Sequence, residues 1–399
     1  MTHRLVVVGH GMVGHRLVDR LRALDTEHAW RITIVAEEHH PAYDRVSLSS
    51  YLDGKSKSDL TLAGADLLND PRVDLLLACP VVSVDRTART VRTAHGERIP
   101  YDALVVATGS RPFVPPVPGR DLTGCFVYRT FDDLDALCAA ARPGRPGVVV
   151  GGGLLGLEAA NALRLLGMHP HIVETAPHLM PAQLDTGAAQ VLHRHIAGLG
   201  LRAHCATATA SIEAGADGRV RAVTLSNGMV LEADVVVFAA GIRPRDELAA
   251  TMGLARAERG GIVVDPLCRT ADQRIWAIGE CAAVNGRCYG LVAPGYRMAD
   301  SVAGQLMGQS PEPFNGTDSS TTLKLLDVRI ATFGTVHPDD AAVEAVFTEG
   351  TDRYAKLLLS QDSGDLLGGI LAGETGSWTS IRSLVGRRPP ADLEQLLLP

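Results

Sequence analysis

The fold is decided by the stretch Val148-Val149-Val150-Gly151-Gly152-Gly153-Leu154-Leu155-Gly156-Leu157-Glu158. The three valines predict a buried strand, and the apolar residues after them recur at helical spacing. Gly151 and Gly153 let the backbone approach a pyrophosphate, and Gly156 lets the helix pack on the strand. Phosphates bind at such a helix N-terminus because its N–H groups are free and the helix dipole favours negative charge. The stretch therefore predicts a dinucleotide site.

A second strand, His171–Val173, follows the predicted helix and ends at Glu174. A carboxylate at this position accepts hydrogen bonds from the adenosine ribose hydroxyls and repels a 2′-phosphate. Neither arginine nor lysine occurs from Thr175 to Ala182 to hold such a phosphate. The sequence therefore favours NADH over NADPH.

A single motif of this kind is also compatible with two different structures. A glycine-rich turn can join a strand to a helix in α/β domains that bind no dinucleotide, and Val148–Gly167 approaches the ~20 apolar residues of a membrane span. Glu158, Asn161 and Arg164 argue against a span. The recurrence of the motif elsewhere in the chain favours the dinucleotide site over both of these structures.

The motif occurs again near the N-terminus as Gly9-His10-Gly11-Met12-Val13-Gly14, after a predicted strand over Leu5–Val8. Helical spacing predicts a helix over Met12–Leu24. The next predicted strand, Ile32–Ala36, leads to Glu37, at about the offset expected of a ribose-binding acid. The sequence therefore predicts a first dinucleotide site before the one at Gly151. His10, inside the turn, is expected to be backbone-exposed and not a catalyst.

Two later segments repeat one another. Tyr101–Pro112 and Ala233–Pro244 each contain an apolar strand, a small-residue turn with glycine, and an Arg-Pro exit. Such a repeat predicts two similar nucleotide-binding domains. The predicted fold class is α/β, with two Rossmann-like dinucleotide-binding domains plus a small α+β C-terminal domain. The predicted boundaries are residues 1–113 and 244–318 for the first, discontinuous domain, 114–243 for the second, and 319–399 for the third.

Composition limits the partners and the location. The 399 residues carry a formal net charge of −7, so nucleic acid and anionic membrane are poor partners. The sequence enters a strand directly, and no signal peptide is expected. Its seven cysteines form no C-x-x-C pair, so we expect reduced, mostly buried thiols in the cytoplasm and no metal site. The adjacent His39 and His40 are interpreted as a solvated loop and not as metal ligands.

Further motifs extend over almost the whole chain. Besides the two glycine turns, they are Ala42-Tyr43-Asp44-Arg45-Val46, Leu48-Ser49-Ser50-Tyr51, Cys125-Phe126-Val127-Tyr128-Arg129-Thr130, Ala277-Ile278-Gly279-Glu280-Cys281 and Gly290-Leu291-Val292-Ala293-Pro294-Gly295-Tyr296. Together they resemble the two-dinucleotide-binding flavoprotein family, which includes glutathione-reductase-like enzymes and ferredoxin and rubredoxin reductases. The most similar branch is the flavin portion of the assimilatory NAD(P)H nitrite reductase large subunit.

The resemblance implies FAD and NADH as cofactors. The residues implied to hold FAD are Gly9, Gly11, Met12, Gly14, Glu37, Arg45, Val81, Thr108, Gly109, Gly279, Glu280, Ala293 and Pro294. Those implied to hold NADH are Gly151, Gly153, Leu154, Leu155, Gly156, Glu158, Glu174 and Gly241. Glu37 is implied to bind the adenosine ribose and Glu280 the ribityl chain. Arg45 is implied to face the FAD phosphates, and a surface salt bridge is its alternative interpretation.

The same resemblance implies an FAD-dependent NADH oxidoreductase with no protein general acid or base. Electrons would pass from FAD to a separate acceptor, an iron–sulfur or sirohaem protein. No redox cysteine occurs from Pro41 to Leu52, and the sequence ends at Pro399, about where nitrite reductases continue into a cluster module and a sirohaem domain. Ser50 stands where ferredoxin reductases usually have lysine, which favours the nitrite reductase branch.

Two alternatives remain open at this point. One is a stand-alone flavoenzyme that reduces a small oxidised substrate or dioxygen directly, and the other is a redox-sensing binding protein on the same fold. The C-terminal block has predicted strands over Thr322–Leu326, Ala331–Phe333, Tyr354–Leu359 and Leu366–Ala372. It carries no chemical motif and is expected to be an interface domain that covers the flavin or pairs two subunits in a homodimer.

Overall fold

The computed structural model describes residues 2–310, 312–314, 316, 321–325, 328–337, 342–390 and 392–397. The chain divides into a first unit, Met1–Arg111 with Ile242–Thr317, and a second unit, Pro112–Gly241 with Asp318–Pro399. The C-terminal segment thus clusters with the second unit. The assignment of FAD and NADH to particular domains stays a prediction.

The strands, in chain order, are β1 His3–Val8, β2 Trp30–Val35, β3 Val73–Leu76, β4 Val81–Asp85, β5 Thr90–Thr93, β6 Arg98–Pro100, β7 Ala103–Val106, β8 Ser110–Pro112, β9 Cys125–Val127, β10 Pro146–Val150, β11 His169–Val173, β12 Arg202–His204, β13 Thr209–Ala214, β14 Val220–Leu225, β15 Val230–Glu232, β16 Val235–Phe238, β17 Ile242–Pro244, β18 Ile262–Val264, β19 Ile275–Ala277, β20 Ala282–Val284, β21 Thr321–Leu325, β22 Val328–Gly334, β23 Ala342–Glu349, β24 Arg353–Ser360 and β25 Leu366–Ala372.

The α-helices are α1 Met12–Leu24, α2 Lys57–Leu60, α3 Ala65–Leu68, α4 Phe131–Ala140, α5 Leu154–Leu165, α6 Thr186–Gly198, α7 Glu247–Met252, α8 Val292–Leu306, α9 Trp378–Arg382 and α10 Glu394–Leu397. Short 3₁₀ helices span Leu48–Tyr51 and Gly279–Cys281. Among the helices of the described ranges, none is both long enough and apolar enough to cross a bilayer.

A parallel five-stranded sheet forms the core of the first unit, in the order β19-β7-β1-β2-β3. Leu5 to Val8 are at most 4% exposed, as expected of a parallel strand that is covered on both faces. Helix α1 buries Leu17, Val18 and Leu21, and full burial of one such side chain stabilises the fold by about 2 kcal/mol. The carboxyl ends of these strands meet at one edge, where ligands of such sheets bind.

The second unit repeats this arrangement with the parallel order β12-β11-β10-β16-β9. Val148 and Val149 are fully buried in β10. The antiparallel strands β13, β14 and β15 pack against one face of the sheet. Helix α4 begins with a capping box in which Thr130 and Asp133 exchange hydrogen bonds. The predicted α/β fold with two Rossmann-like domains is confirmed.

The C-terminal segment forms an antiparallel sheet in the order β21-β22-β25-β24-β23. The predicted strand 322–326 corresponds to β21, and Leu326 itself lies outside the described residues. Strand β23 was not expected from the sequence.

A cluster of polar side chains joins this sheet to the start of α6. Asp185 caps the helix by accepting from the Ala188 N–H at 3.0 Å. Its other oxygen accepts from the Tyr354 hydroxyl at 2.6 Å and pairs with the Lys356 ammonium at 3.0 Å. Glu344 contacts the same ammonium at 3.2 Å, and the Lys356 side chain is only 5% exposed. A buried cation is thus balanced by two carboxylates.

Candidate dinucleotide sites

The first glycine of each turn is required by the backbone. Gly9 has φ +106° and Gly151 has φ +115°, a region that L side chains rarely adopt. A Cβ on Gly9 would overlap the Ala107 carbonyl oxygen, and one on Gly151 would overlap that of Ala239. The two turns therefore lie against their neighbouring strands, β7 and β16, in the same way.

The third glycine of each turn is required by packing. A Cβ on Gly14 would overlap the Gly9 carbonyl oxygen, and one on Gly156 would overlap that of Gly151. Each helix can therefore lie close to its preceding strand only because glycine occupies this position.

The second glycine of each turn faces open space. A Cβ built on Gly11 or Gly153 meets no heavy atom within 4 Å. The same two glycines are the N-caps of α1 and α5, and neither helix has a side-chain cap. Each helix start, at Met12 in α1 and at Leu154 and Leu155 in α5, therefore offers N–H groups and room for an anion. Both cradles fit a dinucleotide pyrophosphate.

The acid of the second turn is held tightly. The Gly152 N–H donates to Glu174 Oε2 at 2.7 Å, and the Ala176 N–H donates to Oε1 at 2.8 Å. A Cβ on Gly152 would lie only 2.9 Å from the Glu174 Cβ. The carboxylate therefore has a defined position beside the phosphate cradle, and only glycine fits at position 152.

In the first turn the acid lies one position further along the chain than in the second. Val35 lies opposite Val8 as Val173 lies opposite Val150, so Ala36 takes the place of Glu174 and the acid Glu37 follows one position later.

His10 stands in the first turn where Gly152 stands in the second. The expectation of an exposed His10 was wrong, because this residue is 7% exposed and its Nδ1 accepts from the Ala42 N–H at 3.2 Å. Burial first, and His15 second, lower the pKa of His10 to about 3, so the ring is neutral at physiological pH.

Glu37 pairs with Arg245, a residue that sequence analysis missed. The Arg245 carbonyl accepts from Thr108 Oγ1 at 2.6 Å, and its N–H donates to the Gly109 carbonyl at 2.9 Å. The structure thus brings Glu37 close to the adjacent pair Thr108 and Gly109, which lies far from it in the sequence. The available signal was the arginine that follows Pro244.

Arg45 lies beside a second carboxylate, Glu38, at 2.6 Å, and its guanidinium stacks 4.8 Å from the centre of the Tyr43 ring. Burial lowers the pKa of Arg45, but the carboxylates of Glu38 and Glu280 and the Tyr43 side chain raise it more. The guanidinium therefore stays charged. The Arg45 side chain is 21% exposed, so its ion pair with Glu38 is partly buried and is not a surface salt bridge. The Glu37-Glu38 dipeptide was the signal for this second acid.

Glu280 is oriented by Ser110, whose hydroxyl donates to Oε2 at 2.7 Å. Gly109 and Gly279, with φ +67° and +76°, form the two turns around this pair. Helix α8 begins close by, since Gly295 and Gly279 both approach the Val13 side chain. No side chain caps the N-terminus of α8, and Ala293 and Pro294 are the second and third residues of this helix.

Three other predicted residues, Val81, Glu158 and Gly241, lie outside the two glycine turns. Val81 begins β4, and the segment before it is tied to the end of β2 through the Cys79 N–H and the Ala36 carbonyl at 2.7 Å. Glu158 is half-buried on α5, one turn after its start. Gly241, with φ +108°, accepts from the Phe113 N–H at 2.9 Å.

All seven cysteines lie among the described residues, and all seven are unpaired, three of them buried and four half-buried. Burial raises the pKa of every thiol, to about 11 for Cys125 and Cys288 and about 12 for Cys268. A thiol reacts as the thiolate, so these side chains are poor nucleophiles at neutral pH.

Replacing Ser110 with alanine is expected to weaken FAD binding about tenfold. The change removes one hydrogen bond to a charged group, which contributes about 1.5 kcal/mol, and it releases the Glu280 carboxylate. The dissociation constant can be read from the fluorescence of FAD released on dilution. Ser83→Ala is the control, because the half-buried Ser83 accepts from Arg92 on the neighbouring strand β5, away from Glu280. Equal FAD affinity in both variants would contradict the assigned role of Ser110.

The fold and the two phosphate cradles define an oxidoreductase that uses two dinucleotide cofactors. A family model for pyridine nucleotide-disulphide oxidoreductases matches residues 3–303. The chain belongs to this family, and its cofactors are FAD and NAD(P)H.

The chain is also similar to individual proteins over nearly its whole length. The chain is 46% identical to the large subunit of an NAD(P)H nitrite reductase from Klebsiella oxytoca, over 99% of this chain and 41% of that protein. It is 36% identical to an assimilatory nitrate reductase electron transfer subunit from Bacillus subtilis, over 93% of this chain and 48% of that protein. A solved ferredoxin reductase from Rhodopseudomonas palustris superposes with a TM-score of 0.87 at 27% identity, over 100% of this chain and 98% of that one. The chain thus spans less than half of these two curated relatives.

Proposed function

We propose that this chain transfers electrons from NADH through FAD to a separate acceptor, an iron–sulfur or sirohaem protein of a nitrite-reductase-like or ferredoxin-type system. The observation that carries the proposal is the pair of matching turns, each with open space at its second glycine, Gly11 and Gly153. The names of the relatives, a nitrite reductase and an electron transfer subunit, support this interpretation.

The residues of the chain would supply geometry and charge to the reaction. Bound FAD accepts a hydride from a reduced nicotinamide and releases electrons singly or in pairs. Glu280, held by Ser110, would fix the ribityl chain, and Glu174, held by Gly152, would fix the adenosine ribose of NADH. Arg45 would offset negative charge near the FAD phosphates.

The acceptor is proposed to lie outside this chain. The seven thiols are unpaired and have raised pKa values, which does not suit dithiol chemistry within the chain. Unpaired thiols also support the cytoplasm as the location.

An anaerobic NADH titration of the purified protein, followed by visible absorbance, tests the proposal. We expect one equivalent of NADH to bleach the flavin, slow recovery in air, and fast recovery on addition of an oxidised ferredoxin. Rapid recovery in air with continued NADH consumption would show direct reduction of dioxygen, and rapid turnover on a small oxidant alone would show a stand-alone enzyme. Failure to bleach, or the lack of bound flavin after reconstitution, would contradict the proposal.

Replacing Glu174 with glutamine should relax the preference for NADH. The amide oxygen can still accept from the Gly152 N–H, whereas the Ala176 N–H loses its acceptor. The negative charge that opposes a 2′-phosphate is gone. We expect kcat/KM for NADPH to rise about tenfold, with the value for NADH changed by less than about threefold. Glu232→Gln, an exposed change on β15, is the control. An unchanged NADPH value in the Glu174 variant would show that this carboxylate does not select the nucleotide.

A further inference from the structure

Two neighbouring carboxylates, Glu37 and Glu38, follow β2 at the edge of the sheet where FAD is proposed to bind. The diphosphate of FAD is negatively charged, so two unbalanced carboxylates beside it would oppose binding. Each carboxylate is instead paired with an arginine, Glu38 with Arg45 and Glu37 with Arg245. The charges at this edge are therefore balanced pair by pair.

The main chain of Arg245 is fixed independently of its side chain. Its N–H and carbonyl form the two hydrogen bonds with Gly109 and Thr108, at 2.9 and 2.6 Å. The guanidinium takes part in neither of them. The side chains of Arg245 and Glu37 are 37% and 55% exposed, so a ligand at this edge can reach the pair.

We propose that Arg245 is a positioning residue of the FAD site. Its guanidinium holds the Glu37 carboxylate beside the Thr108–Gly109 turn and offsets the charge of that carboxylate towards the diphosphate. The inference rests on the proposed function, since it requires FAD to bind at the Gly9–Gly14 turn. Beyond the proposed function, the inference assigns the FAD site a positively charged residue from the loop after β17.

The test is the FAD dissociation constant of the full chain, read from the fluorescence of released FAD. Arg245→Met should weaken binding about tenfold or more, and Arg245→Lys should return it to within about threefold of the original value, since lysine keeps the charge. Methionine retains the main-chain hydrogen bonds, so the melting temperature of the chain freed of FAD should not change. Arg243→Met, two residues earlier in β17 and exposed, is the matched control.

A double-mutant cycle with Glu37→Gln separates positioning from a general structural effect. Because Arg245 acts through Glu37, the double variant should bind FAD no more weakly than the weaker single variant. Wild-type affinity in Arg245→Met, no rescue by lysine, or effects that multiply in the double variant would overturn the inference. A wild-type chain that holds no FAD would contradict the proposed function instead, so the two failures can be told apart.

Discussion

Replacing Gly11 with glutamate should abolish FAD binding while the protein stays folded. Gly11 has φ −84° and ψ −173°, a conformation open to any L residue, and its Cβ would meet no protein atom within 4 Å. The new carboxylate would occupy the start of α1, where the diphosphate must lie, so volume and charge both oppose the ligand. We expect the dissociation constant for FAD to rise at least about 100-fold, or about 2.7 kcal/mol.

The equivalent change in the second turn should have a different outcome. Gly153 has nearly the same backbone conformation, with φ −77° and ψ −174°, and the same open surroundings. Gly153→Glu should therefore keep its flavin absorbance but no longer be bleached by NADH. The measurements are flavin content per chain and anaerobic titration with NADH. Gly198→Glu is the control, because that glycine also faces open space but lies at the end of α6.

The opposite result for the two variants would mean that FAD and NADH bind at each other's proposed turns. If Gly11→Glu kept its flavin and lost only its reaction with NADH, FAD would have to bind at the second turn. If both variants behaved like Gly198→Glu, neither cradle would hold a dinucleotide.

Replacing Asp185 with alanine should destabilise the second unit by about 3 kcal/mol. The change leaves the buried Lys356 ammonium without one of its two carboxylates, and breaking a buried ion pair costs about 3–5 kcal/mol. The remaining partner, Glu344, is 43% exposed, so we take the lower end of that range. The N-cap of α6 and the acceptor of the Tyr354 hydroxyl are lost as well.

Urea unfolding of the full chain, with hydrogen exchange of the β24 amides, measures this effect. Arg353→Ala is the control, because it breaks an ion pair with Glu349 on the same sheet whose side chains are 51% and 77% exposed. Exposed pairs contribute about 0–1 kcal/mol. If the two variants unfolded at the same urea concentration, the cluster at Asp185 would not stabilise the attachment of the C-terminal sheet.

The same cluster sets a pH range for this stabilisation. Burial raises the pKa of Asp185, but the Tyr354 hydroxyl, the Ala188 N–H and Lys356 lower it more, so the net pKa is below its ordinary value. The stabilisation is therefore complete above about pH 4 and is lost as the pH falls through the folded pKa. Burial first, and Asp185 second, raise the pKa of Tyr354, so its contribution is complete below about pH 10 and is lost at higher pH.

The sequence predicted best where local physical constraints determine the structure. Helix α1 has the predicted bounds Met12–Leu24, and β25 has the predicted bounds Leu366–Ala372. Glycine turns, apolar periodicity and strand length act within a few residues, so they are readable from a single segment. Strand β23 was not predicted, because two of its apolar residues, Val343 and Val346, are 48% and 50% exposed. The strand therefore lacks the alternation of apolar and polar residues that marks a half-buried strand.

The site was less predictable because its contacts join distant segments. The pairing of Glu37 with Arg245 spans 208 positions of the sequence, and no local pattern reports it. His10 is buried and accepts from the Ala42 N–H, 32 positions away. Neither contact can be read from the glycine motif, because each involves a partner that lies outside it.

The raised pKa values of the native thiols have a practical consequence for labelling. At pH 7 a thiol with a pKa near 11 is ionised in only about one molecule in 10,000, whereas an ordinary exposed cysteine, with a pKa near 8.5, is ionised in a few per cent. A maleimide dye should therefore react far faster with one introduced surface cysteine than with residues such as Cys125, Cys268 or Cys288. A probe could thus be attached to an introduced cysteine with little labelling of these three native residues.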